Sequence, residues 1–247
     1  MKYFMDTTET IASGVGFSHY GALHLAWLVL FLAVCIGSIL WYRKQCEKNR
    51  QIWKKTVAVL LLLDELFKVV MLVIGGRFNA SYLPLHLCSI NIFVIAFHAW
   101  KPSKIAGGYL YTVGIAGALA ALLFPSWSSL PLLNFMHFHS FTVHILLALY
   151  PIVLFAAGEL QPRAREIPKY LFLLLAMAVP IYFVNLLLNT NFMFLMHADE
   201  GNPLLFFEQM WGNHLYGFPV IIIGVLIVMY VPILIISMIK RRKNPPV

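Results

Sequence analysis

Residues 22–42, ALHLAWLVLFLAVCIGSILWY, decide the fold class, because they contain no Asp, Glu, Lys or Arg. A helix needs about 20 apolar residues to cross the hydrocarbon core of a bilayer. The whole chain of 247 residues is 61% hydrophobic and 11% charged, whereas an average soluble domain is roughly 45–50% apolar and 25% charged. The composition therefore excludes an ordinary soluble enzyme and predicts an all-α, polytopic membrane protein.

Six further apolar stretches are long enough to span, which predicts seven transmembrane helices in a single domain over residues 1–247. The predicted spans, numbered in chain order, are 22–42, 56–75, 83–100, 105–124, 140–158, 170–189 and 217–239. Residues 203–213 are apolar but too short to cross, so an interfacial or re-entrant helix is expected there.

The positions of the basic residues predict the orientation. Fifteen of the eighteen Lys and Arg residues fall in alternate connections, at 43–55, 101–104, 163–169 and 240–243. Cytoplasmic loops of membrane proteins carry such an excess of positive charge. We therefore expect a multi-pass protein of the cell membrane, with the N-terminus outside and the C-terminus in the cytoplasm. The formal net charge of +8 is then a topology signal, and no nucleic-acid partner is expected.

Three charged residues, Asp64, Glu65 and Lys68, interrupt predicted span two. Lys68 follows the two acids by four and three residues, so both carboxylates can reach it on a helix. One interpretation is a self-neutralising structural cluster in which Asp64 and Lys68 depend on each other. The functional interpretation is that the spare carboxylate orients a histidine or binds a proton, because an ionisable group inside a span is costly.

Histidine is concentrated on the predicted outer side, where eight of the nine lie, while His98 lies at the inner end. A single interfacial histidine is usually structural, but eight on one side suggest a site. His137 and His144 are seven residues apart and share a helical face if span five starts early, whereas His139 faces elsewhere.

Amides are placed in the same half of the bundle as these histidines. Asn91 lies in span three, and Asn185 and Asn189 are four residues apart near the outer end of span six. Such amides serve as interhelical contacts in many membrane proteins. Together with the charges of span two, however, they outline a polar site in the outer half of the bundle.

Cys88 is the thiol best placed for chemistry, about one turn inside predicted span three in the stretch 83–89, LPLHLCS. A thiol becomes nucleophilic when a neighbouring imidazole accepts its proton. His86 is only two residues away and points to another face, so the base must come from another helix. His144 lies at a compatible depth. The alternative is an inert buried thiol.

No metal or cofactor is expected. His86, His137 and His139 could together supply zinc ligands. The last span, however, has neither the histidine pair expected of a seven-span zinc hydrolase nor the lysine that retinal requires.

Three polar stretches resemble the YwaF-like bacterial integral membrane proteins: residues 83–89, residues 138–144 (FHSFTVH) and residues 185–195 (NLLLNTNFMFL), which include Asn191. The similarity covers essentially all seven spans. That family is distantly similar to an animal seven-span acyltransferase that remodels ether phospholipids through a cysteine acyl-enzyme. The resemblance implies that Cys88 is the nucleophile, that His139 or His144 is its base, and that membrane phospholipids or acylated lipids are the partners.

Two functions are the main ones compatible with the sequence, and a structural or regulatory membrane partner is a third. The first is a thiol-dependent acyltransferase or other lipid-modifying enzyme that acts at the outer leaflet. The second is a transporter or a protein that binds small molecules or lipids in an outward-facing polar cavity. A homo-oligomer is compatible with either. The expected supporting residues are Asp64, Glu65, Lys68, His86, Asn91, His137, Asn185, Asn189 and Asn191.

Overall fold

The computed structural model of the chain describes residues 2–199 and 201–243, apart from the side chains of 232 and 236–243. Every regular element among these residues is helical, as the composition predicts. The C-terminal segment expected in the cytoplasm is 240–247. Its last four residues, 244–247, lie outside the described residues.

The chain divides into two compact units, Met1–Asn202 and Pro203–Val247. A π-helical turn, Leu110–Gly114, joins the helices Lys104–Tyr109 and Ile115–Leu123 of the first unit into one continuous helix. The predicted single-domain organisation stays a prediction. The α-helices described in the first unit are α1 (Ala22–Arg43), α2 (Glu47–Ile74), α3 (Leu87–Trp100), α4 (Lys104–Tyr109), α5 (Ile115–Leu123), α6 (Phe135–Ala156) and α7 (Ile167–Leu188).

The second unit contains α8 (Leu204–Trp211) and α9 (Gly217–Lys243), joined through a 3₁₀ turn, His214–Tyr216. Helix α8 packs against α9. It coincides with the short apolar helix expected near 203–213, and its 8 residues are too few to cross a bilayer. Its placement at a membrane interface stays a prediction.

Six helices among the described residues are long and apolar enough to cross a membrane. Helix α2 is not among them although it has 28 residues, because Asp64, Glu65 and Lys68 interrupt its apolar part. Whether α2 makes a seventh span depends on how those charges are accommodated. The six are Ala22–Arg43, Ala80–Trp100, Lys104–Leu123, Phe135–Ala156, Ala164–Leu188 and His214–Ile235.

Two helices begin earlier than the apolar pattern predicts. Helix α2 starts at Glu47 rather than at 56, since Lys, Arg, Gln and Glu are good helix formers even where they are too polar to span. Helix α6 starts at Phe135 rather than at 140, because the Asn134 side chain caps it. Its Oδ1 accepts hydrogen bonds from the amides of Met136 at 2.9 Å and His137 at 3.2 Å.

Helix α6 is the central helix of the first unit and contacts α1, α2, α3 and α5. In its apolar stretch 67% of the residues are buried, against 11% in the helix that ends at Leu188. The ring of Phe141 stacks on Trp27 of α1 with centroids 4.7 Å apart. Helix α4 in turn approaches α7 so closely that a Cβ on Gly108 would collide with the Tyr170 hydroxyl.

One end of this unit is closed by the N-terminal segment, and we call it the capped end (residues 2–21, 77–79 and 125–135). The Asn134 Nδ2 donates to the carbonyls of Tyr3 at 2.7 Å and Asp6 at 2.8 Å. The Phe17 amide donates to the Ser128 carbonyl at 2.8 Å. A single side chain, Asn134, therefore both begins α6 and holds the segment across it.

The other end, which we call the basic end, contains the last turn of α1, the first turns of α2 and the residues after α6. Arg43 donates to the Ala156 carbonyl at 2.7 Å. The Glu159 carboxylate accepts hydrogen bonds from the Tyr42 hydroxyl at 2.8 Å and from Lys54 at 3.1 Å. Helices α1, α2 and α6 therefore alternate in direction between the two ends, as the alternation of basic connections predicts.

Candidate functional site

Polar side chains of α2, α3 and α6 meet in one place, which we call the polar cluster (Asp64, Glu65, Lys68, Ser89 and His139). The Lys68 Nζ lies 2.6 Å from Glu65 Oε1, and the Ser89 hydroxyl donates to the same oxygen at 3.3 Å. Glu65, Lys68, Ser89 and His139 are all buried. Glu65 is thus the partner of Lys68 and links α2 to the start of α3.

Asp64 does not share in that ion pair but turns to α6. Its Oδ2 lies 3.1 Å from Nδ1 of His139, and Nε2 of the same ring lies 4.0 Å from Glu65 Oε2. The expected mutual dependence of Asp64 and Lys68 is therefore replaced by two separate pairs, Glu65 with Lys68 and Asp64 with His139. Helical spacing allows either carboxylate to reach Lys68, and the neighbouring helices select Glu65.

The contact between Asp64 and His139 is close but is not a hydrogen bond. Asp64 Oδ2 and His139 Nδ1 are both buried, and neither has a hydrogen-bond partner among the described residues. At 3.1 Å the two atoms are near enough, so the angle between ring and carboxylate is what prevents the bond. Buried polar atoms of this kind are rare in proteins, since leaving one unsatisfied costs about 1–3 kcal/mol.

Cys88 and His86 lie at the start of α3, next to this cluster. His86 is the residue before the first helical turn, and Cys88 is in that turn. Both interact electrostatically with Glu65 and Lys68. The His86 ring packs edge-on against Phe192, with centroids 5.1 Å apart. Both side chains are half-buried.

The thiol of Cys88 is reduced, and its hydrogen-bonding neighbour is Ser89. Among the described residues, no hydrogen bond connects this thiol with a histidine ring. The first-turn amides of α3 have no partner within the helix, as at the start of any α-helix. A thiol, the amides of a helix N-terminus and a buried ion pair are therefore next to one another at the beginning of α3.

The three histidines of α6 have different surroundings. His137 is fully buried and satisfied: Nδ1 bonds the Leu130 carbonyl at 3.0 Å, and Nε2 accepts from the Trp27 indole at 3.0 Å. His139 belongs to the polar cluster. The Nδ1 of His144 donates to the Ser140 carbonyl at 2.6 Å, and the ring stacks on Trp127 with centroids 5.0 Å apart.

These contacts determine the tautomer of His144. Because Nδ1 donates its proton to a backbone carbonyl, the neutral ring has its lone pair on Nε2, which has no hydrogen-bond partner among the described residues. His144 is half-buried and interacts electrostatically with His86 and His139. Of the two histidines expected as base, His144 is therefore the one whose tautomer is set by a backbone contact, which leaves Nε2 as its acceptor nitrogen.

The other outer histidines show why clustering on one side is a weak signal. His24 accepts from the Tyr20 amide at 2.9 Å and bonds the Leu122 carbonyl at 2.7 Å. His19 bonds the Pro125 carbonyl at 3.1 Å. These contacts hold the capped end together, so several members of the outer set have a structural explanation.

The amides expected at the site divide into two groups. Asn91 is buried in α3, and its Oδ1 has no hydrogen-bond partner among the described residues. Asn185 closes the end of α7, accepting from the Thr190 hydroxyl at 2.9 Å and the Phe192 amide at 2.8 Å. Asn189 is exposed and ends that helix in the left-handed conformation, at φ 52°.

Asn191 organises the loop that follows. Its Nδ2 donates to the His197 carbonyl at 3.0 Å, and its Oδ1 accepts from the Met196 amide at 3.0 Å. The structure thus gives Asn185, Asn189 and Asn191 contacts with nearby backbone groups, away from the polar cluster. The expected site residues that it does bring together are Asp64, Glu65, Lys68, His86, Cys88 and His139.

Three residues of the site were not predicted from the sequence. Ser89 looks like an ordinary small residue of an apolar helix, Trp127 like an interfacial anchor, and Asn134 like part of a loop. The position of Asn134 before a helical run is a recognisable capping signal. The contacts of Ser89 and Trp127 depend on other helices and leave no local signal.

No group of three or more His, Cys, Asp or Glu side chains within the described residues is arranged to hold a metal ion. Two shallow apolar grooves, of about 290 and 340 Å³, lie elsewhere and share Ile105 and Leu173. The chemistry that this part of the chain offers is that of a thiol, an imidazole and buried carboxylates.

Several long apolar helices around a buried polar cluster define a polytopic helical membrane protein. The comparison with family models gives the family: the model of the TMEM164 family matches residues 18–230, and the chain belongs to that family. No curated protein and no solved structure matches the chain.

Proposed function

We propose that the protein is a seven-span lipid acyltransferase of the cell membrane that works at the outer leaflet, with Cys88 as nucleophile and His144 as base. Its close relatives would be the YwaF-like bacterial membrane proteins, and its distant ones the cysteine-dependent ether-phospholipid acyltransferases. The observation that carries the proposal is the free Nε2 of His144, whose tautomer is set by the Ser140 carbonyl. Membrane phospholipids are the proposed partners.

The proposed reaction has two half-reactions that balance. The Cys88 thiol gives its proton to His144 Nε2, and the thiolate attacks the ester carbonyl of a lipid. A carbon–sulfur bond forms, the ester carbon–oxygen bond breaks, and the leaving alkoxide takes the proton from His144. An acceptor hydroxyl then attacks the thioester, gives its proton to His144, and releases the thiolate, which is reprotonated.

Two features of α3 and α6 support these roles. The negative charge that develops on the carbonyl oxygen can be stabilised by the amides of the first turn of α3, since a helix N-terminus favours an anion. Trp127 and the Ser140 carbonyl hold the His144 ring in one orientation. In this proposal the thiol and the imidazole, which are not hydrogen-bonded to each other, come together when a lipid ester binds.

The decisive experiment is a search for the acyl-enzyme by intact mass after incubation with a phospholipid that has one isotopically labelled acyl chain. The wild-type protein should gain the mass of that chain, and Cys88→Ser should not, while Cys46→Ser, which removes an exposed thiol, should behave as wild type. In His144→Ala the adduct should form at least about tenfold more slowly. An adduct that persists in Cys88→Ala would exclude the thiol mechanism.

A transporter or lipid-binding protein is the second candidate. The buried pair of Glu65 and Lys68 and the partly buried Asp64 beside it favour this function, because such groups commonly carry protons or bind cations in transporters. Substrate-dependent proton uptake into proteoliposomes that survives in Cys88→Ala and is lost in Glu65→Gln would favour this function over acyl transfer.

The seven-span topology, with the N-terminus outside, is part of the proposal. Cys46 is exposed at the basic end, and Ser13 is exposed at the capped end. In intact cells an impermeant maleimide should label a Ser13→Cys variant that lacks the native cysteines, and it should not label Cys46 in the wild type. The reverse result would invert the orientation.

A further inference from the structure

We propose that Asp64 and His139 form a binding site for the free hydroxyl group of a glycerolipid. The site deepens the proposed function, on which it rests for the idea that this lipid is the acyl acceptor. It is distinct from Cys88 and His144, which form and break the acyl bond.

The first argument is the pair of unsatisfied atoms. His139 is 8% exposed, and its Nδ1 faces Asp64 Oδ2 at 3.1 Å, yet neither atom makes a hydrogen bond within the described residues. Both atoms are closed to solvent, so in this proposal the partly exposed Asp64 side chain turns aside to admit the ligand, and an oxygen about 2.8 Å from both atoms then bonds each of them at normal length. Two buried polar atoms that can share one partner are better explained by a ligand than by chance, because each costs free energy when left alone.

The second argument is the type of group that fits. A carboxylate oxygen only accepts, and a neutral imidazole nitrogen can donate. A hydroxyl does both, since it donates to Asp64 and accepts from His139. An ammonium has no lone pair for a donating ring, and an ionised phosphate has no proton for the carboxylate. The described residues also contain no group that could hold a metal ion.

The third argument is the surface from which the site is reached. Asp64 is the most accessible member, with 19% of its side chain exposed against 10% for Glu65. One turn away on either side along α2 lie Leu60 and Phe67, which are 47% and 44% exposed. Phe138, next to His139, is 41% exposed. The exposed part of Asp64 is therefore surrounded by exposed apolar side chains, which suit the acyl chain of a lipid rather than a water-soluble alcohol.

The fourth argument is depth. His139 is the fifth residue of α6 and Ser89 the third of α3, so both lie within about 6 Å of the beginning of their helices at 1.5 Å per residue. Polar groups of lipids lie near the ends of transmembrane helices, and the hydrocarbon lies further in. By the measure of α3 and α6, a glycerol hydroxyl would therefore be at the level of His139, next to Asp64, while the longer helix α2 continues for ten residues beyond Asp64 to Ile74.

The test uses the wild-type protein and two probes that differ in one atom. Lysophosphatidylcholine has a single hydroxyl, on its glycerol, and its 2-deoxy analogue has none. Binding to the detergent-solubilised protein is measured by native mass spectrometry. Two hydrogen bonds, one of them to a charged group, should make the hydroxyl lipid bind about tenfold or more tightly than the deoxy lipid. Equal affinities would overturn the proposal.

Variants then assign the preference to the two residues. Asp64→Leu and His139→Leu should each abolish the difference between the probes. Asp199→Asn is the matched control, because Asp199 and His197 form a similar pair at 3.2 Å on the exposed surface, and it should keep the full preference. If the Leu variants do not fold, the two-probe comparison on the wild type still decides.

Two further arms separate the alternatives. Excess glycerol should not displace lysophosphatidylcholine; displacement by glycerol would show a soluble alcohol as ligand and overturn the lipid assignment. Cys88→Ser should keep the preference for the hydroxyl lipid. If that preference is found but no acyl-enzyme ever forms, the hydroxyl site stands and the acyltransferase fails. If an acyl-enzyme forms without the preference, the acyltransferase stands and the hydroxyl site fails.

Discussion

Two groups of charged side chains, one at the basic end and one in the polar cluster, differ in how completely their polar atoms are hydrogen-bonded. At the basic end the Glu159 carboxylate is saturated: Oε1 bonds the Tyr42 hydroxyl at 2.8 Å and Arg50 at 3.4 Å, and Oε2 bonds Lys54 at 3.1 Å. In the polar cluster Glu65 is engaged in the same manner, but Asp64 Oδ2 and His139 Nδ1 are buried without a hydrogen bond in the described part of the chain.

The comparison shows how a structural ion pair differs from a candidate site. The Glu159 side chain is 23% exposed, so water and three protein donors together complete its contacts. In the polar cluster Glu65 alone pairs with the lysine, and Asp64 has only His139 as a neighbour in an interior of low polarity, where an unpaired charge is expensive. A protein that keeps such an arrangement gains something other than stability from it, and this is why we place function there.

The largest effect that tests this difference is expected for Lys68→Met. The change leaves the buried Glu65 carboxylate without its cation, which should destabilise the protein by about 3–5 kcal/mol in detergent. Unfolding is followed by circular dichroism against increasing denaturing detergent. The double variant Lys68→Met, Glu65→Gln should recover most of the loss, because no unpaired charge remains. Wild-type stability of the single variant would show that water already reaches this pair.

A smaller effect is expected for Lys54→Met at the basic end. Glu159 keeps its bonds to the Tyr42 hydroxyl and to Arg50 and is partly solvated, so the loss should be about 1 kcal/mol. The measurement is the same detergent titration, with Lys55→Met as the control. A loss as large as that of Lys68→Met would remove the contrast between the two groups.

The smallest effect is expected for Asp199→Asn, which breaks the exposed contact with His197. Because both side chains are in water, stability should change by less than about 0.5 kcal/mol. Comparison with Asp64→Asn sharpens the argument, since both variants remove one charge from an Asp–His pair. The two variants could instead show similarly small changes in stability and the same preference for lysophosphatidylcholine over its 2-deoxy analogue. That result would mean that burial of the Asp64 pair has no consequence.

The sequence by itself determined the class of protein and most of its helices. Apolar runs of sufficient length can only be buried in a bilayer or in a core, so the long helical segments and the alternation of basic connections could be read without coordinates. The helix starts were less certain. Helix α6 begins at Phe135 because the Asn134 side chain caps it. Asn134 is a local capping signal, but the start predicted at 140 followed the apolar pattern instead.

Only the tertiary structure decided which of the polar residues belong together. Helical spacing shows that Asp64 and Glu65 can both reach Lys68, but it contains no information about the helices on either side, and these assign Glu65 to Lys68 and Asp64 to His139. The same is true of the histidines. His137 and His144 share a face of α6, yet contacts from Trp27 and Leu130 satisfy one ring, whereas the other keeps a free nitrogen. The physical reason is that a hydrogen bond depends on distances of about 3 Å and on angles between residues far apart in the chain, and these are set by the packing of the helices.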